Sequence, residues 1–371
     1  MRFFTIIPTF VISLRLSCAA PISQLSQQTI TVAGGDVPNG GPAVKLSTNG
    51  ISNFQLANFI ENIESQFFAQ ALTNLVSDSA FTTPGSDGVS VQDVVTKVAA
   101  QVSKACSCCW AISPHTAPNL QILLELFVTK IIYLNIMLTL YQELVHKATI
   151  EGALTSSGAL TIPECTKVEI VSSTAQFLTR ANIITSTSIG AIISLSGSLA
   201  QSDPSLVSTA SSILGVEARQ DGFFRVSESL VPDPAPFETQ ISGIWAYNIV
   251  LSFVDQKSCP TLLPLPILPV LTITSPPPDA IPTAVPPTTI SFTVDRSIIT
   301  RNEKLFIGWV NQANVPVYTV ATISILGKGT APIPSGLSGA SFAALTNQNT
   351  AVSVDALTSA TIAGPAVVIV S

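Results

Sequence analysis

Charge is scarce in this chain. Asp, Glu, Lys and Arg together make up 10% of its 371 residues, where a soluble domain ordinarily carries about a quarter. Basic residues are the scarcer kind, 16 against 22 acidic, and the net charge is −6. Nucleic acid and anionic membrane both select basic surfaces, so neither is expected as a partner. Only two histidines occur, His115 and His146, which excludes any site built on three imidazoles. No phosphate loop or dinucleotide fingerprint follows a strand-like run. What is plentiful is apolar. Such residues form 47% of the chain, and that wealth of Leu, Ile, Val and Phe excludes disorder for its bulk.

The amino end reads as a targeting segment. Arg2, an apolar run from Phe3 to Leu14 and the small residues Ser17-Cys18-Ala19-Ala20 describe a secretory signal peptide over residues 1–19. A cut after Ala20 would leave Pro21 first, so the cut is placed after Ala19. The run is shorter than the ~20 residues a membrane span needs. The expected location is secreted, extracellular or cell wall.

Residues 102–142 differ abruptly from their Ser/Thr/Ala-rich neighbours. Cys106, Cys108, Cys109 and Trp110 precede a dense apolar run from Leu120 to Tyr141. A thiolate metal site would need a second ligand pair at a set distance, and none is present. A membrane helix over 120–141, the basis of a membrane-associated alternative, would have to bury Glu125, Lys130 and Asn135. One central lysine alone costs about 2.5–3.5 kcal/mol. The third reading is a retained intron. Val102-Ser103 can be encoded GTA-AGC, a splice donor, and Gln142 can be encoded CAG, an acceptor, in frame. Removing the block aligns Val95, Val98, Glu143, His146 and Ile150 on one helix face. It also leaves two mature cysteines, Cys165 and Cys259, which read as one disulfide.

After an extended segment over 20–50, helical periodicity fills residues 51–231. Leu56, Phe59, Ile60, Ile63 and Phe67 mark a first helix, with Ser52-Asn53 as its start. The joined 91–101/143–155 segment is a second, ending near Gly158, and residues 172–199 form a third, closed by Asp203-Pro204. A fourth carries Val207, Ala210, Ile213, Leu214, Glu217, Gln220 and Phe224 on one stripe. Four such helices predict a four-helix bundle. Residues 232–287 predict a Pro-rich connector with one short helix around 244–254, because ten prolines from Pro260 to Pro287 preclude helix and central strand. Residues 288–371 predict about six short strands in a small all-β sandwich, with no histidine or cysteine and no expected chemistry. The fold class is therefore α+β.

Glu61, Glu143, His146 and Glu217 fall on or beside the inward stripes of three of these helices. A carboxylate pointing into a core is costly unless paired, hydrogen-bonded or metal-bound. Glu143-Leu144-Val145-His146 has the Glu-x-x-His spacing of carboxylate-bridged dimetal bundles, in which two helices carry that motif and two others give one Glu each.

Residues 51 to about 270 resemble the ferritin-like domain family of secreted fungal stress-response proteins, related to plant and bacterial desiccation-related proteins. The resemblance rests on Asn53 to Phe68, Glu143 to Leu154, Pro163-Glu164-Cys165, Ile213 to Gln220, Pro236-Phe237-Glu238-Thr239 and Ser258-Cys259-Pro260 to Pro269. It implies Glu61 and His146 as outer ligands of one metal, Glu143 and Glu217 as bridging positions, and Glu64 as a supporting acid. The outer ligands of the second metal are replaced by Thr185 and Gln220. The first expectation is therefore a degenerate, non-catalytic bundle without a cofactor. Its inward Glu, His and Gln side chains satisfy one another, helped by Arg180 or Arg219. The alternative is a mononuclear site for Fe, Mn or Zn, or a weak metal-dependent oxidoreductase. Two-metal oxygen chemistry is expected in neither case. The resemblance further implies a role in stress or development and an extracellular or cell-wall partner.

Overall fold

The computed structural model describes residues 25–38, 45–76, 118–171, 173–276, 287–300 and 303–370. The expected signal peptide, the Cys106–Trp110 cluster and residues 91–101 lie outside these. After a short α1 (Gln27–Ala33) come α2 (Thr48–Val76), α3 (Pro118–Ser156), α4 (Thr174–Ser202) and α5 (Val207–Ser227). In the bundle α2 packs along α3 and α4 along α5, and α2 also meets α4. Its centre is aromatic: Phe67 stacks on Phe177 at 5.5 Å and Phe68 on Phe224 at 5.7 Å, all four rings fully buried. Each such ring contributes roughly 1.5–3 kcal/mol by leaving water.

The helix ends have local causes. Ser173 caps α4 by accepting from Gln176 N, and Asp203-Pro204 stops it. The start of α2 corrects the expectation at Ser52-Asn53. Ser47 Oγ instead accepts from Gly50 N, and the Asp203 carboxylate accepts from Ser47 N and Ser47 Oγ, both at 2.7 Å. One acid from the end of α4 thus fixes the start of α2, a long-range cap that local sequence does not reveal. Gly190 is required where residues 239–241 cross α4. A Cβ there would stand 2.6 Å from the Thr239 carbonyl oxygen.

The stretch expected as connector is a packed strap. It forms α6 (Gly243–Val250) and then runs extended, with Leu263 buried and Leu262, Leu265 and Leu268 against the bundle core. The Cys165–Cys259 disulfide ties the strap to the loop after α3. Backbone bonds from Thr166 N to Ser258 O and Glu169 N to Phe253 O reinforce it. β1 (Thr272–Ser275) also lies inside this stretch, and prolines permit it because β1 is the edge of its sheet.

With β1, seven strands form where about six were expected: β2 (Thr289–Thr293), β3 (Leu305–Val310), β4 (Val317–Ile323), β5 (Lys328–Pro332), β6 (Gly339–Thr346) and β7 (Thr361–Val370). The short α7 (Val354–Ser359) precedes β7. The pairing is antiparallel in the order β1-β2-β5-β4-β3-β6-β7. β4 pairs with β3 over Val317–Ala321 and passes to β5 at Thr322–Ile323. The sheet thereby closes over Ile290, Phe292, Ile307, Trp309, Leu345 and Val368, giving the sandwich-like core. The two parts share a seam: Trp245 Nε1 donates to Thr361 Oγ1 at 3.2 Å, and Thr239 Oγ1 to Ala340 O at 3.0 Å.

Among the described residues one helix, α4, is long and apolar enough to cross a membrane, and 56% of its most apolar stretch is buried inside the protein. The end of the 120–141 run also turns inward, with Ile136 fully buried in the bundle core.

Candidate metal centre

Three helices bring four predicted residues to one point. Glu143 and His146 sit one turn apart on α3 and so share a face. Glu61 arrives from α2 and Glu217 from α5. One donor atom from each of the four lies within 4.8 Å of every other. His146 Nδ1 is 3.1 Å from Glu143 Oε2, 3.4 Å from Glu217 Oε1 and 3.9 Å from Glu61 Oε2. Glu143 and Glu217 have no exposed surface, while Glu61 and His146 keep 4% and 8%.

The hydrogen bonds do not close on themselves. A single Nδ1 proton serves Glu143 at 3.1 Å, and the other two carboxyl groups stand farther from it, at 3.4 and 3.9 Å. Among the described residues no donor reaches Glu61 Oε2, Glu143 Oε1 or either oxygen of Glu217. Arg180, expected as a helper, instead pairs with Glu169 at 2.7 Å and lies over Phe253. None of the described ion pairs brings Arg219 to the cluster. The self-satisfied arrangement is therefore incomplete, and an uncompensated buried carboxylate costs several kcal/mol.

Proton affinities reflect this. Burial, opposed by His146, drives the Glu61 carboxyl well above the usual carboxylate range. Burial and the charge of Glu143 push Glu217 up to about 8. Glu143 is also desolvated, but the adjacent His146 more than offsets this and leaves it below its ordinary value. His146, desolvated in its turn, is held well above an ordinary imidazole by Glu143. Glu64, one turn beyond Glu61, is wholly buried and accepts from Ser188 Oγ at 2.9 Å. Burial and then the charge of Glu217 keep it strongly proton-binding.

The replaced positions have other occupations. Thr185 Oγ1 donates toward Ala181 O and the carboxylate of Asp221, and Gln220 Nε2 donates to Gln142 Oε1 at 3.1 Å. Asp221 was missed by sequence reasoning. It is buried, accepts from Thr185 at 2.9 Å and Ser186 at 3.2 Å, and is pushed up to about 7 by burial. The available signal was its place one turn after Glu217 on the same helix. Three carboxylates and one imidazole with orphaned oxygens fit one divalent ion of the Fe, Mn or Zn type. For a second ion, Gln220 offers only an amide oxygen and Thr185 a hydroxyl already engaged. The four clustered residues fit one ion.

A helical bundle with Glu and Glu-x-x-His side chains converging in its interior defines the carboxylate-lined, ferritin-like class. Residues 50–228, just under half of the chain, match the family described as ferritin-like domain, in keeping with the helical fold of that segment. No curated protein matches the chain.

Proposed function

We propose that this protein is a secreted ferritin-like protein that holds one divalent transition-metal ion in its bundle and does no two-metal oxygen chemistry. The observation that carries the reading is the cluster of four donor atoms within 4.8 Å, with buried oxygens that no protein donor reaches. Glu61, Glu143, Glu217 and His146 would hold the ion. When bound, such an ion supplies Lewis acidity and, if redox-active, one-electron chemistry. Glu143 orients the imidazole through its hydrogen bond. Secretion is supported by the apolar run from Phe3 to Leu14 and by a disulfide, a bond that persists in oxidising compartments. A role in extracellular or cell-wall stress physiology or development rests on the family resemblance. The test is elemental analysis of purified protein. We expect one Fe, Mn or Zn per chain, lost in Glu143→Gln. Absence of bound metal at saturating supply, or two tightly held irons, would overturn the reading.

A further inference from the structure

The cluster is buried, yet one of its members opens on a cleft. Between α2, α4 and the 240–243 crossing lies a cavity of about 510 Å³ with Glu61 and Ser188 at its inner end. Its walls carry Asn49, Asn53, Ser194, Ser198 and Gln201, and Asp355 from α7 stands on its lining as well. No lysine, arginine or histidine lines it among the described residues. Small side chains keep it open, chiefly Ala57 on α2 and Gly197 on α4. Gly197 is exposed, and a Cβ there meets nothing within 4 Å, so packing does not require this helical glycine.

We propose that this cleft is the route by which a hydrated divalent cation reaches the cluster, with Asp355 attracting it and Glu61 receiving it. The proposal rests on the one-metal reading above. Three observations combine in it. The lining offers amide and hydroxyl oxygens that can replace lost water ligands of a hard cation. Among the described residues its only ionisable side chains are the carboxyl groups of Asp355 and Glu61, a lining that favours cations over anionic chelates. Glu61 Oε2, buried and without a donor, ends the path and belongs to the cluster itself. The competing way in is past His146, whose ring keeps a small exposed edge.

The test is the rate of Zn²⁺ uptake by metal-free, full-length protein, followed by native mass spectrometry after rapid mixing. Gly197→Trp places a large ring into open space in the cleft. We expect loading slowed by about tenfold or more with the final content still one ion per chain. Asp355→Asn should slow it by a few fold at low salt, an effect that fades as ionic strength rises. The second variant leaves helix α4 untouched and keeps the test valid if the first folds poorly. Loading of both variants at the wild-type rate would overturn the route and direct attention to the His146 side. A reduced final content in Gly197→Trp would overturn it too, because the cleft would then be part of the site. Wild-type protein that takes up no Zn²⁺ fails differently, since it removes the one-metal reading itself.

Discussion

His146 Nδ1 lies 3.1 Å from Glu143 Oε2, one turn earlier on the same helix, so a single proton joins the only two members of the cluster that share an element. The remaining carboxylates come from other helices and find no donor. On the proposed one-ion reading, a fold that gathers them without satisfying them gives up metal-free stability for a place to hold a cation.

Glu217 tests that trade. Both of its oxygens lack a donor, and burial with Glu143 raises its carboxyl to about 8. A raised acid favours the fold fully below its unfolded pKa, and the favour is lost as pH climbs through 8. Metal-free Glu217→Gln is therefore expected to melt higher than metal-free wild type at pH 9, with the gap narrowing toward pH 5. Added metal should raise the melting temperature of wild type by mass action and leave the variant unchanged. A variant that still binds one ion per chain and gains stability from it would contradict the ligand set.

Asp221 makes a separate pH prediction. Its folded pKa of about 7 lies above the ordinary 3.8 because it is buried, despite hydrogen bonds from Thr185 and Ser186 and the charge of Arg225. Its stabilising contribution is full below about pH 4 and is lost as pH rises through 7. Asp221→Asn keeps an acceptor for both hydroxyls and removes the titration. It should stabilise the protein at pH 8 by on the order of 2–4 kcal/mol relative to its effect at pH 4. Denaturant unfolding at the two pH values measures the difference, and equal effects at both would refute it.

The contrast between Glu217 and Asp221 shows what sequence could convey. Glu61, Glu143, His146 and Glu217 were legible because helical spacing fixes which side chains share a face, and acids on an apolar stripe are costly enough to be conspicuous. Asp221 was not, because its partners Thr185 and Ser186 stand on another helix and depend on the α4–α5 register. The cap of α2 by Asp203 was hidden for the same reason. In the sheet, β2 and β3 announce themselves through Ile, Phe and Val. β6, with its Gly339-Ala340-Ser341 start and alanines, is buried on both faces and shows no alternation. β1 is masked by prolines that an edge position tolerates.

The Cys165–Cys259 disulfide joins residues 94 apart. Closing so long a loop restricts the unfolded chain, so replacing both cysteines by serine should cost about 2–4 kcal/mol. The fold should survive, because the Val168–Val254 bridge and the backbone bonds around it do not need the sulfurs. Guanidinium unfolding of the double variant is the measurement, and an unchanged midpoint would show that the strap is held by packing alone.

The length of α3 bears on whether residues 102–142 belong to the mature protein. It has 39 residues, whereas α2 and α4 have 29 each. Ten extra residues extend a helix by about 15 Å. Removing the block would join Gln101 to Glu143 and bring Val95 to the position of Ile136 and Val98 to that of Thr139. Those two positions are buried, at 0% and 3% exposure, and valine suits both. The shortened helix would thus keep its inward stripe and the Glu143–His146 pair unchanged. We infer that the block is a retained intron and expect reverse-transcribed message to lack codons 102–142. Protein made from the shorter message should retain the cluster's metal binding and stay soluble without detergent. Messages that all carry the block would settle the matter the other way and make residues 120–141 a genuine helix in need of a partner.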